Sequence, residues 1–281
     1  MKKLNTYLIE KLKIGKAPKQ EYTCQPKDKF ELREILEERL LKNKNANLND
    51  IDVSNITNMC NLFFGLNPRN IDIRLWDVSN VKDMSFMFHK CYSFNCDLSN
   101  WDVSSAEVMN EMFSFCKKFK GEGLENWNVT NVKDMAGMFY KCKNFDCDLS
   151  EWNVKNVEVT SVMFQECENF KGEGLEKWDV SSVENMAGMF LKCSNFDCDL
   201  SDWDVSKVFT TINMFEECIK FKGKGLENWD VTNVRHMFSM FKGCTEFAAN
   251  LDNWNTPYLL TYNEMFDDCP SLKNKPSWYK D

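Results

Sequence analysis

Nine tryptophans fall at positions 76, 101, 127, 152, 178, 203, 229, 254 and 278, spaced 25 or 26 residues apart until a last step of 24. Self-similarity at one period of this length means stacked repeats, and it overrides any domain count taken from the 281 residues. Eleven residues after each of the first eight tryptophans stands Met87, Met112, Met138, Met163, Met189, Met214, Met240 or Met265, always followed by Phe. A Cys follows three residues later in every copy, from Cys91 to Cys269, and Phe94 to Phe247 then occupy the next register, with Leu272 in the last. A degenerate copy starts at Ile51, where Trp is replaced, and keeps Val53, Ile56, Met59 and Phe63. Odd copies read Phe94-Asn-Cys-Asp-Leu-Ser-Asn-Trp101; even copies read Phe119-Lys-Gly-Glu-Gly-Leu-Glu-Asn-Trp127, one residue longer. The extra residue arrives with two glycines, which suits a bulge or a backbone excursion with positive φ. The repeating block is thus a pair of 51 residues.

Val81, Met84, Met87 and Cys91 recur at three to four residues, so a short helix is expected there, with Asn80, Asn131 and Asn156, or Ser105 and Ser182, as N-caps. Asp97-Leu98-Ser99 is short and partly alternating, as a brief strand is. A 25-residue unit cannot bury its apolar face alone, so stacking must make the core and set Trp, Met, Phe and Cys over their counterparts.

The pattern W-D-V-S-N-V…M-x-x-M-F-x-x-C-x-x-F-x-x-D-L-S resembles BspA-like leucine-rich repeats. It is most similar to their short variant, found in mycoplasma surface lipoproteins and in bacterial and phage proteins. The resemblance covers about residues 51–278. It implies an α/β repeat: a right-handed leucine-rich-repeat-like solenoid of about nine coils, one short strand and one short helix each. It also implies binding or adhesion in some members and no shared enzymatic activity. Two features depart from it: the chain shows no signal or lipobox, and the Gly-bulged coil is not the usual unit.

Four segments are expected: a basic arm at 1–26, a capping helix at 27–50, the repeats at 51–256, and the last repeat with a C-terminal cap at 257–281. The cap helix is read over 28–41, with Phe30, Leu32, Ile35, Leu36, Arg39 and Leu40 on its apolar face. Within residues 1–20, six lysines against one glutamate give +5, leaving −13 for the rest of a chain whose net charge is −8. Lys2, Lys3, Leu4, Leu8, Lys11, Leu12 and Lys13 are the candidate docking residues of that arm. It reads as a segment packed on the cap, a protein-docking helix or a membrane-surface helix. No apolar run of signal-peptide length follows the lysines, so a cytoplasmic location is expected, or virion and host cytoplasm for a phage-encoded chain.

Net −8 argues against nucleic acid as a general partner. Thirteen Cys with no C-x-x-C, eight of them in one inward register, read as reduced core thiols rather than zinc ligands or disulfides. Neither a metal nor a cofactor is implied. The two histidines, His89 and His236, occupy different registers, without a recurring Ser or Asp at fixed spacing. No G-x-S-x-G, H-E-x-x-H or phosphate loop occurs. The candidate surface is a stripe of carboxylates flanking the ladder of leucines: Asp97, Asp148 and Asp199 in odd coils, Glu125, Glu176 and Glu227 in even ones. It could receive a basic partner segment, bind Ca²⁺ weakly, or serve solubility alone. The expected function is a non-enzymatic protein-interaction or structural scaffold with an unidentified protein partner, a homo-oligomer being compatible and membrane binding disfavoured. A BspA-type surface adhesin is the alternative, and an enzyme with an unrecognised site is the alternative of another class.

Overall fold

The computed structural model describes residues 21–280. Its one α-helix among the described residues, α1 (Lys29–Lys42), starts where Asp28 accepts the N–H groups of Phe30 and Glu31, as an N-cap should. Leu32, Leu36 and Leu40 lie fully buried beneath it. Phe30, placed on the apolar face by sequence, is 70% exposed instead. The four-residue spacing of the leucines sets a narrow stripe, and Phe30 falls off it.

Beyond α1 the chain winds into a stack. Isolated parallel bridges join Asn58, Asp83, Val108, Asp134, Val159, Asn185, Thr210, His236 and Thr261 in one ladder, one residue per coil. Among the described residues β pairing goes no further than such bridges, and the only other helical elements are the 3₁₀ turns Leu175–Lys177 and Leu226–Asn228. The leucine-rich-repeat solenoid with a strand and a helix per coil is therefore overturned. Asp97-Leu98-Ser99 is a turn, not a strand, closed by the Trp101 N–H on the Leu98 carbonyl at 3.0 Å.

Backbone geometry shows why the helix fails. Each coil is a ring of turns whose bonds run from residue i+3 back to i: Met87 to Met84, Cys91 to Phe88, Phe94 to Cys91, Ala106 to Val103. Such turns repeat every three residues, which copies the helical spacing of apolar side chains. Phe86 (φ 55°) and Lys90 (φ 60°) sit in the left-handed region, and the same two registers do so in every coil. An α-helix cannot pass through such a residue. The N–H groups of Met84, Phe86, Phe88 and Lys90 instead donate to Val108, Asn110, Met112 and Ser114 of the next coil at 2.8–3.0 Å. Asn80 is no N-cap either; its side-chain amide donates to the Ser54 carbonyl one coil back.

The core runs the length of the stack. Phe88 and Phe113 stack 5.5 Å apart with planes 4° from parallel, and Phe164 and Phe190 stack at 5.7 Å and 1°. Every Trp donates its indole N–H to a carbonyl of the preceding coil, as Trp101 does to Ile73 at 3.0 Å. The eight ladder thiols do likewise: Cys116 donates to the Phe88 carbonyl at 3.1 Å, Cys142 to Phe113 at 3.0 Å. The thiol therefore closes a hydrogen bond between coils as well as filling space. All thirteen cysteines are free, eleven of them buried.

The even coils need their glycines. Gly123 holds φ +91°, and a Cβ there would stand 2.2 Å from the Ser99 backbone nitrogen. At the N-terminal end of the stack, Leu62 and Phe64 carbonyls occupy the register that elsewhere accepts from a preceding coil. The Arg33 guanidinium of α1 donates to both, at 2.9 and 2.8 Å. At the other end Trp278 stacks on Trp254 at 6.1 Å and Tyr279 stands edge-on to Phe266 at 5.1 Å.

Candidate functional site

The carboxylates singled out by sequence lie on the turn before each Trp. Most are engaged there. Asp97 accepts the Ser99 N–H at 2.9 Å and Asp148 the Ser150 N–H at 2.9 Å. Asp199 accepts from Ser201 and pairs with Lys224 at 2.6 Å, which holds its carboxyl down at about 2. Glu125 and Glu176 each accept the N–H of a bulge glycine, Gly123 and Gly174, at 3.0 Å. Glu227 is exposed on the 3₁₀ turn Leu226–Asn228. These groups brace the turns that carry them, as Asp77 does for Ser79 after Trp76. Among the described residues no three His, Cys, Asp or Glu side chains gather as a metal site. The arm residues Lys2, Lys3, Leu4, Leu8, Lys11, Leu12 and Lys13 lie outside the described residues.

A different constellation forms on the outward face of the Met-to-Cys turns, where the left-handed residues sit. His89 is central. Its Nδ1 lies against Ser114 Oγ and 3.2 Å from Glu111 Oε2, and Ser114 donates to that same carboxylate oxygen at 3.1 Å. Serine, histidine and carboxylate are thus together, yet they do not form a nucleophilic relay. Both partners share one ring nitrogen, whereas a relay needs the base between the other two groups. Ser114 is moreover completely buried. Burial pushes the His89 pKa below its ordinary value, against the opposing pull of Glu111.

Around His89 stand Phe64 at 5.4 Å, Phe86 at 5.6 Å and Phe115 at 5.5 Å, and Phe115 continues to Tyr140 at 5.0 Å. Lysines line this ridge. Lys90 Nζ lies 5.8 and 5.7 Å from the Phe64 and Phe115 rings; Lys141 Nζ lies 5.3 and 5.0 Å from Phe115 and Tyr140. At its N-terminal end the ridge meets a groove of about 310 Å³ between α1 and the first coil, lined by Phe30, Arg33, Leu62 and Phe64 among others. Farther along the stack the same registers carry Glu166, Glu216, Glu217, Asp267 and Asp268, with Lys192 and Lys242 among them. The face is aromatic and basic in its first coils, and in its later ones carries both signs with carboxylates in excess.

The chain's relationships fit this repetitive build. The family model described as Mycoplasma protein of unknown function, DUF285, matches residues 31–122, 109–174 and 160–279. The chain belongs to the DUF285 family. The match supports a repeat-containing, mycoplasma-type family and not BspA-like leucine-rich repeats as such. No curated protein and no solved structure matches the chain. The three matched segments of this DUF285 chain overlap and together take in most of α1 and every coil.

The ridge escaped sequence reading because its members are far apart in sequence and differ in type. Laying the coils in register brings His89 over Ser114 and Lys90 over Phe115, which is the signal that was there to find. The chemistry on offer is aromatic contact, cation–π contact and exposed charge. Among the described residues no helix is long and apolar enough to cross a membrane.

Proposed function

We propose that this DUF285 chain is a non-enzymatic protein-interaction scaffold that binds through the outward face of its Met-to-Cys turns. One observation carries the reading: identity breaks the repeat there. Core registers hold one residue type coil after coil, whereas the outward registers change from Phe64, His89, Phe115 and Tyr140 to Gly, Leu, lysines and carboxylates. Recognition requires such individual positions, and half-exposed aromatics flanked by cations are the residue types enriched at binding hot spots. Phe64 is 42% exposed, so the ridge is reachable. Thirteen free thiols suit a reducing compartment, which extends the proposal to the cytoplasm.

The test compares immobilised wild-type chain with a Phe115→Ser, Tyr140→Ser variant of unchanged thermal midpoint. Partners recovered from the native source are quantified by mass spectrometry. A drop of about tenfold in specific partners is expected from losing two aromatic contacts. Equal recovery by both baits overturns the reading.

A further inference from the structure

One column of the outward face carries an ordered charge pattern. It is the second left-handed register of each coil, so its members share one backbone position and stand one above the other. The degenerate first coil has Gly65 there; the next four members are Lys90, Phe115, Lys141 and Glu166. The last four are Lys192, Glu217, Gly243 and Asp268. Read upward from Lys90 the signs are plus, none, plus, minus, plus, minus, none, minus. Read downward with every sign inverted, the series is the same.

We infer that this column is the self-complementary seam of an antiparallel dimer of the chain. The inference rests on the protein-interaction reading and names the partner as a second copy. A two-fold axis between the coils of Glu166 and Lys192, lying in the interface and perpendicular to the stack, sets each column against its own reverse. Lys90 then meets the partner's Asp268, Lys141 meets the partner's Glu217, and Glu166 meets the partner's Lys192. Phe115 lies over the partner's Gly243, which has no side chain to obstruct the ring. The flanking columns obey the same rule, with His89 against the partner's Asp267 and Glu111 against the partner's Ser239. No two like charges are opposed.

Pairing inside one chain leaves the ends of the column unmatched. Lys141 pairs with Glu166 at 3.3 Å and Lys192 with Glu217 at 3.4 Å. Among the described residues neither Lys90 nor Asp268 has an ion-pair partner, and both are exposed. They are seven coils apart in one molecule, so only a second molecule can join them. Eight coils at about 4.8 Å give a seam roughly 35 Å long. Its narrow width places it among small, transient interfaces.

Sedimentation equilibrium on the full chain, from about 5 to 500 µM at low salt, reads the dimer in the range expected for so small an interface. Lys90→Glu alone, and Asp268→Lys alone, each set two like-charge contacts in the symmetric dimer and should weaken it about tenfold. The double variant Lys90→Glu, Asp268→Lys restores opposite charges at both contacts and should return to within about threefold of wild type. Both positions are exposed, and circular dichroism checks that each variant is folded. A chain that stays monomeric throughout the range overturns the proposal, and so does a dimer that the double variant fails to restore. If the chain is monomeric while the Phe115, Tyr140 variant still loses other proteins, the interaction reading stands and the second copy alone is wrong.

Discussion

Truncating one ring of the phenylalanine ladder should cost more in the middle of the stack than at its end. Phe164 is fully buried and touches rings of three coils: Phe139 at 5.6 Å, Phe170 at 4.4 Å and Phe190 at 5.7 Å. Phe266 has a coil on one side only, where Phe241 stacks at 5.8 Å; its other side meets Tyr279 edge-on. Phe164→Ala removes a whole ring from a packed interior with neighbours held on both sides, so a cost of about 4 kcal/mol is expected, the middle of the usual range of roughly 3–5 kcal/mol. Phe266→Ala opens its cavity toward a thinner end that can collapse, and about 2 kcal/mol is expected. In a stack whose coils contact only their neighbours, the interior change also severs coupling between the two halves. Urea unfolding followed by tryptophan fluorescence reads both effects. With a slope near 3 kcal/mol/M, Phe164→Ala should move the midpoint by about 1.3 M, and the transition should broaden or split. Phe266→Ala should move it by about half as much and keep its shape. Equal shifts, or a larger shift at the end coil, would refute nearest-neighbour stacking as the source of stability.

Burial drives Cys91 up to about 12, so the ladder thiols should be inert in the native state. Thiol titration at pH 8 is expected to find the two half-buried cysteines, Cys24 and Cys60, promptly, and all thirteen after denaturation; prompt reaction of more than about half would contradict the ladder. Gly174→Ala places a Cβ 2.3 Å from the Ser150 nitrogen at φ +90° and should cost about 3 kcal/mol, whereas Gly188→Ala at φ +62° should cost about 1 kcal/mol. Calorimetric midpoints check the order, and an equal loss at both sites would sink the reasoning. The His89 imidazole should titrate below 6.5 by NMR. Because its folded pKa is depressed, the unfolded chain binds the extra proton first. Its contribution to stability is present above pH 6.5 and is lost as pH falls below that value. A midpoint above 6.5 would show that Glu111 outweighs burial.

The period, the buried ladders and α1 were legible in the sequence because each rests on residue type at fixed spacing. The path between ladders was not. Met84, Met87 and Cys91 carry the same three- to four-residue spacing whether they ride a helix or a chain of turns. What separates the two is the left-handed backbone at Phe86 and Lys90, and neither residue advertises it as glycine or asparagine does. Val162, a β-branched residue at φ 52°, advertises the opposite. The carboxylate stripe was visible as a column, but not its turn bonds, which follow an Asp-x-Ser pattern shared by Asp77 with Ser79, Asp97 with Ser99 and Asp148 with Ser150. The His89 cluster required knowing which residue of the next coil lies over which.

The alternation of plain and glycine-bulged coils has a consequence for how such a chain can change length. Gly123 faces Ser99 on one side and Gly121 faces Cys147 on the other; in the later bulged coils Gly174 and Gly225 face Ser150 and Ser201, and Gly172 and Gly223 face Cys198 and Ala249. Each bulged coil is thus keyed to plain coils above and below. Losing one plain coil from the middle would bring bulge against bulge, a junction found nowhere in the stack, whereas plain against plain already occurs at both ends, where the turns before Trp76 and Trp101, and before Trp254 and Trp278, all lack the paired glycines. Slippage during gene duplication is then limited by the bulges alone, and relatives built on this plan should add or lose plain coils freely but never set two bulged coils side by side.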